Sequence, residues 1–133
     1  MTELRIITAG SRDFNNYDLL KTTVENIIIY EIEPGGISNI KIISGTARGA
    51  DRLGEQFAKQ FHYDVVRFPA NWDRFGKSAG YIRNEEMAKY AVEDGNRGVL
   101  VAFWDGESRG TKHMIDLANK HGLEVHVVKY KEK

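Results

Sequence analysis

Five short apolar runs alternate with four segments of helical period along this chain, and that alternation restricts the fold more than any other feature. Strands separated by helices cannot pair as tight hairpins. They pair in parallel, through right-handed crossovers that lay helices over the sheet. The runs are Leu4–Thr8, too short and too apolar for a surface helix, then Ile40–Ile43, Tyr63–Phe68, Gly98–Phe103 and Leu123–Val128. Between them, Leu20, Val24, Ile27 and Ile28 recur at helical spacing from Tyr17 to Ile32, and Pro34-Gly35-Gly36 ends that segment. Ala50, Leu53, Phe57, Ala58 and Phe61 mark a second helix; Ile82, Met87, Ala91 and Val92 mark a third, stopped by Gly95. Met114, Ile115 and Ala118 place the fourth, with Gly122 as its C-terminal cap. Ala70 to Ala79 shows no period and reads as a loop. The expected fold is α/β: a Rossmann-like open parallel sheet, strand order 3-2-1-4-5, with helices on both faces and one domain over residues 1–133.

Three of the runs end in loops rich in glycine and arginine. Leu4–Thr8 leads into Ala9-Gly10-Ser11-Arg12, and Ile40–Ile43 into Ser44-Gly45-Thr46-Ala47-Arg48-Gly49-Ala50-Asp51. The fourth run leads into Trp104-Asp105-Gly106-Glu107-Ser108-Arg109-Gly110-Thr111. Glycine allows a sharp turn and close approach of a ligand, helix-start N–H groups attract anions, and arginine adds a two-pronged donor for phosphate. In the expected strand order, strands one and four are neighbours at the point where the order reverses, where such sheets bind ligands. The first and third loops follow those two strands and the second is next door. One pocket for an anionic ligand follows.

Bulk properties remove several classes of function. Lys+Arg and Asp+Glu number 19 each, so the formal net charge is zero and gives no global attraction to nucleic acid or an acidic membrane. Position matters more than the total, because Arg12, Arg48, Arg74, Lys77, Arg83 and Arg109 all fall in or near loops that follow strands. There are no cysteines, which excludes disulfides, thiol catalysis and thiolate metal sites. No signal-peptide pattern or membrane-length apolar run occurs, so a cytoplasmic protein is expected, and the Lys-rich tail Lys129–Lys133 reads as a solvated end.

Within the loops, several side chains carry two readings. Asp51 either caps the following helix or accepts from a ribose hydroxyl. Thr111 is either the N-cap of the last helix or a direct phosphate ligand. Trp104 either stacks on a base or packs in the core. Phe14 reads as a cover for the core. Asn71-Trp72-Asp73-Arg74-Phe75-Gly76-Lys77 is either a functional loop or a surface loop pinned by Trp72 and Phe75, and Arg83 and Asn84 follow it in the first turns of the third helix. Arg83 then serves either a ligand or a structural ion pair. His62, His113, His121 and His126 show no metal-ligand spacing, and only His113 falls near the loops. Ser11 and Ser108 have no base nearby in sequence, and neither a Walker A loop nor a GxGxxG fingerprint is present. No metal and no cofactor is expected.

Gly10-Ser11-Arg12-Asp13-Phe14, Ser44 to Asp51, Gly76-Lys77-Ser78-Ala79-Gly80-Tyr81-Ile82-Arg83-Asn84 and Trp104 to Thr111 together resemble the YspA/YpsA-related branch of the SLOG superfamily. That superfamily includes the LOG phosphoribohydrolases and the DprA/Smf proteins. The resemblance runs from about Ile6 to Val128. It implies a Rossmann-like fold and a nucleotide or nucleotide-derived ligand held by the loops after strands one, two and four; relatives often dimerise, which leaves a homodimer or higher homo-oligomer open beside a monomer. Two departures stand out. LOG enzymes carry Gly-Gly-x-Gly-Thr-x-x-Glu, whose glutamate serves N-glycosidic cleavage; aligning Gly110-Thr111 with its Gly-Thr puts Met114 at the glutamate position. A methionine neither stabilises an oxocarbenium ion nor activates water. Proline is common in this branch where Tyr81 stands.

The leading expectation is a binding module for a nucleoside phosphate or an ADP-ribose-like molecule, acting as sensor or sequestering protein. Its ligand-binding residues are Gly10, Ser11, Arg12, Gly45, Thr46, Ala47, Arg48, Gly49, Asp51, Arg74, Lys77, Arg83, Asn84, Trp104, Asp105, Gly106, Ser108, Arg109, Gly110 and Thr111. The alternative is an N-glycosidase acting on a nucleotide derivative, with Asp51, Asp105 or Glu107 steadying the ribosyl cation. Single-stranded nucleic-acid binding ranks third, because the net charge argues against it.

Overall fold

A computed structural model describes residues 2–130, so the last three residues of the Lys-rich tail lie outside the described residues. The chain runs β1 (Thr2–Gly10), α1 (Tyr17–Ile32), β2 (Ile37–Ser44), α2 (Ala50–Phe61), β3 (Asp64–Arg67), α3 (Trp72–Phe75), α4 (Ala79–Val92), β4 (Arg97–Trp104), α5 (Arg109–Lys120) and β5 (Glu124–Lys129). All neighbouring strands pair in parallel, in the order β3-β2-β1-β4-β5. The alternation of runs and helices thus gives the expected open sheet in the expected order.

Side chains alternate across a strand, so the core divides into two layers. Leu4, Ile6, Ile42, Val99, Val101 and Phe103 face α1 and α2, meeting Leu20, Val24, Phe57 and Ala58. Ile7, Ala9, Ile43, Leu100 and Ala102 face the other way, onto Met87, Ala88 and Ala91 of α4 and Met114 and Ala118 of α5. Phe14 is 2% exposed and stacks on Phe103 with ring centroids 4.5 Å apart, so it covers the core as expected.

Segment boundaries shift where sequence gives local cues too small to show a period. The stretch Ala70–Ala79, expected as a loop, contains the single turn α3 and a 3-10 turn over Gly76–Ser78. Asn71 initiates α3, its side-chain carbonyl accepting from the N–H of Arg74 at 3.1 Å. Trp72 and Phe75 do not pin this stretch to the core: they are 55% and 38% exposed. At the start of α5 the N-cap is Ser108, whose Oγ accepts from the N–H of Thr111; Thr111 sits inside the first turn instead of capping it.

At the amino-terminal rim of the sheet, charged side chains interlock. Arg5, nearly buried, pairs with Glu3 at 2.9 Å, donates to the carbonyl of Tyr90 at 2.6 Å and lies over the Tyr90 ring. Lys41 reaches Glu3 at 3.2 Å, and Arg97 bridges Glu31 and Glu124 at 2.7 and 2.6 Å. The first set joins β1, β2 and α4 and the second joins α1, β4 and β5, both at one end. The opposite, carboxyl-terminal end is left to the loops.

Candidate functional site

Because every strand runs the same way, the loops after β1, β2 and β4 emerge on one rim. Gly10 has no room for a side chain: a β-carbon there would collide with the Phe103 carbonyl of β4 and meet Ala50 of α2. Just beyond it, the N–H of Ser11 donates to that same Phe103 carbonyl at 3.0 Å, and the Asp105 N–H donates to Ser11 Oγ at 3.3 Å. Loops one and three are thereby fastened together. Loop two leans on loop one at Gly49, where φ is 90° and a β-carbon would strike the carbonyl of Ser11. Positive φ and close approach both demand glycine there.

The turn after β2 is closed from inside. Ser44 Oγ accepts from the N–H of Thr46 at 3.0 Å and donates to Glu55 at 2.6 Å; the Ala47 N–H donates to Asp51 at 3.1 Å. Asp51 therefore braces the loop and does not serve as the N-cap of α2, which is Gly49. Thr46 holds a left-handed φ of 65°, a conformation that costs a β-branched residue energy and that collects at functional sites. From α4, Arg83 donates through Nη1 to the Gly45 carbonyl at 2.6 Å and through Nε to Asn84 Oδ1 at 3.0 Å. Asn84 Nδ2 in turn lies 3.2 Å from His113 Nδ1 and 3.5 Å from the Gly110 carbonyl. One chain of polar contacts thus runs from loop two through α4 to α5.

Burial sets the electrostatics of that chain. Loss of water pushes the Asp51 carboxyl up to about 6, against the opposing pull of the Ala47 N–H and the Arg83 charge. Burial also lowers Arg83, while Asp51 works to raise it. Asp105 shows the reverse: the N–H groups of Glu107 and Ser108, each at 2.8 Å, hold its carboxyl below the ordinary value.

Above these contacts opens a cleft of 620 Å³. Gly10, Arg12, Gly45, Thr46, Ala47, Arg48, Asp51, Lys77, Arg83, Asn84, Ser108, Gly110 and Thr111 line it, so all three loops and the start of α4 meet there. Arg12, Arg48 and Lys77 are exposed and, among the described residues, form no ion pair. Asp51 is the one carboxylate in the lining. The cleft is therefore positive within a chain of zero net charge.

The other expected residues stand elsewhere. Ser11 is buried beneath the cleft, Gly49 backs the loop, and Asp105 folds the third loop onto itself. Arg74 lies over the ring of Phe75. Trp104, Gly106 and Arg109 line a second, shallower groove of 500 Å³, which shares Tyr81 and Ser108 with the cleft. In the other direction, Ala9, Pro69, Ala70, Trp72, Gly80, Tyr81, Met87 and Met114 line the cleft without having been assigned to it from sequence. The aromatic residues of the stretch before Arg83 were the available cue. Among the described residues no group of His, Asp and Glu is arranged to hold a metal ion, and no helix is long and apolar enough to cross a membrane.

Residues 4–75, just over half of the chain, match the family described as YAcAr: YspA, cpYpsA-related SLOG family. The chain belongs to that family. It is also similar to the Gene 61 protein of Mycobacterium phage D29, at 30% identity over 126 residues that cover 91% of this chain and 93% of that protein. No solved structure matches it. The segment matched to the SLOG family supplies the first two loops and α3, while α4, β4 and α5 lie beyond it. Met114, which the LOG motif aligns with glutamate, is 1% exposed and forms part of the cleft lining together with Met87. In this SLOG chain that position is apolar.

Proposed function

We propose that the cleft binds a nucleotide or nucleotide-derived small molecule, either a nucleoside phosphate or an ADP-ribose-like compound, and that the chain acts as a sensor or sequestering protein. The observation that carries this reading is the set of unpaired cations, Arg12, Arg48 and Lys77, from three separate segments around one concave space. A phosphate among them gains charge-assisted bonds without displacing an existing ion pair. Family membership supports the same ligand class. The buried methionine at the LOG glutamate position favours capture over cleavage. Isothermal titration with nucleoside mono- and diphosphates and ADP-ribose tests the reading. Saturable binding that weakens with salt is expected; absence of heat for every one of them refutes it.

One observation favours a second reading. Asp51 is a buried carboxyl in the cleft wall with its protonation moved to about 6, which suits a group that exchanges a proton or steadies a ribosyl cation. Under this reading the protein cleaves the N-glycosidic bond of its ligand. Chromatographic detection of free base after prolonged incubation at high protein concentration decides it, and no release by wild-type protein retires it.

A further inference from the structure

The cleft wall carries aromatic rings that anion binding does not require. Trp72 and Tyr81 both line it and are 55% and 47% exposed. A half-exposed indole in a concave, charged site offers a flat apolar surface to a flat ligand group. Its position is defined. Trp72 Cη2 lies 3.6 Å from where a β-carbon on Gly80 would stand, and Arg83 Nη2 lies at the same 3.6 Å from that point. The indole edge and the guanidinium prong are thus no further apart than twice that distance. Arg83 already uses Nε and Nη1 on Asn84 and Gly45. Nη2, the prong beside Trp72, has no hydrogen-bond partner among the described residues and stands in the cleft wall.

The other tryptophan differs. The Trp104 indole N–H donates to the Ser108 carbonyl at 3.1 Å, the Lys129 ammonium lies 5.6 Å from its ring centre, and the ring borders the second groove. Tyr81 is also engaged on one side, meeting the His113 ring at 4.4 Å and 60°.

We infer that Trp72 is the stacking platform for an aromatic base on the ligand, with Arg83 Nη2 beside it to bond the adjoining sugar–phosphate. This rests on the proposed function and narrows it: the ligand class is a base-bearing nucleotide and excludes bare sugar phosphates as the preferred partner. It also gives the stacking role, one of two readings open to Trp104 from sequence, to Trp72 of α3 instead.

The test uses the full chain. W104F leaves Trp72 as the sole tryptophan, and its emission is followed while adenosine 5′-monophosphate, ADP-ribose or ribose 5-phosphate is added. Quenching by the two base-bearing ligands and none by ribose 5-phosphate is expected. In calorimetry, W72A weakens the base-bearing ligands roughly 5- to 150-fold and leaves ribose 5-phosphate unchanged, while W72F keeps most of the affinity. Equal weakening of all three ligands, or wild-type affinity for ribose 5-phosphate matching that for nucleotides, overturns the inference and leaves anion binding standing. No binding of any phosphate compound sinks the proposed function itself. If W72A turns a dimer into a monomer with ligand preference unchanged, the indole belongs to an interface between copies and the inference fails.

Discussion

Arg83 and Gly45 are 38 residues apart in sequence, yet the guanidinium of one donates to the carbonyl of the other at 2.6 Å. The bond fixes the start of α4 against the turn after β2, and the same side chain places its charge beside buried Asp51. Removing it therefore has two costs. Arg83→Ala leaves a carbonyl without its partner and a buried carboxyl without the Arg83 charge that opposes its burial, and a loss of about 1–3 kcal/mol in urea unfolding is expected. Arg83→Lys does not restore stability, because a single ammonium cannot reproduce the fork that serves Gly45 and Asn84 together. Full recovery with lysine would show that charge alone matters there.

Asp51 gives the fold a pH dependence of predictable sign. Its folded value of about 6 stands above its ordinary value of 3.8, so the folded state binds the proton more tightly. The contribution is fully present below the unfolded value and is lost as pH rises through about 6. Asp51→Asn removes this loss while keeping an acceptor for the Ala47 N–H. The variant is therefore expected to gain stability relative to wild type between pH 4 and pH 7, by up to about 3 kcal/mol. Urea unfolding at both pH values checks it; a difference that stays flat contradicts the assignment.

Gly49 is the joint between the first two loops. Gly49→Ala forces a β-carbon onto the Ser11 carbonyl at a φ of 90°, so neither the space nor the backbone conformation accommodates it. A loss exceeding about 2 kcal/mol is expected by thermal or urea unfolding. A neutral result would mean that the two loops separate freely.

The unpaired cations separate binding from stability. Arg12→Ala and Arg48→Ala remove exposed side chains, so unfolding should shift by no more than about 0.5 kcal/mol. Affinity for a nucleoside phosphate should fall roughly tenfold or more for each. Arg109→Ala, at the second groove, should cost distinctly less. Calorimetry of the three variants at one salt concentration ranks them, and an Arg109 effect larger than the other two would place the anion in the wrong groove.

Sequence carried the architecture because period and alternation are averaged over many residues. Leu20, Val24, Ile27 and Ile28 mark α1 as buried on one stripe, and all four are buried. It carried the rim on which the loops gather, since parallel strands leave no other choice. A four-residue helix such as α3 is beyond that averaging; only the Asn71 cap announces it. Direction within a loop is also beyond it. Ser108 and Arg109 are adjacent, yet Ser108 borders both spaces and Arg109 only the second groove, because successive positions at a helix start point to different sides. Asp51 illustrates a third limit: a carboxylate next to a helix start is open to capping or to a ligand until tertiary contacts show which N–H it faces.

The interlocked charges around Arg5, Glu3 and Arg97 sit at the end of the sheet far from the cleft. Ion pairing is thus concentrated at one rim, and the loops that line the cleft stand on the other. On the proposed reading, substitutions in the three loops alter what the molecule recognises and leave those ion pairs untouched. A scaffold divided in this way lets one loop at a time be exchanged, in nature or at the bench, without disturbing the ion-paired end.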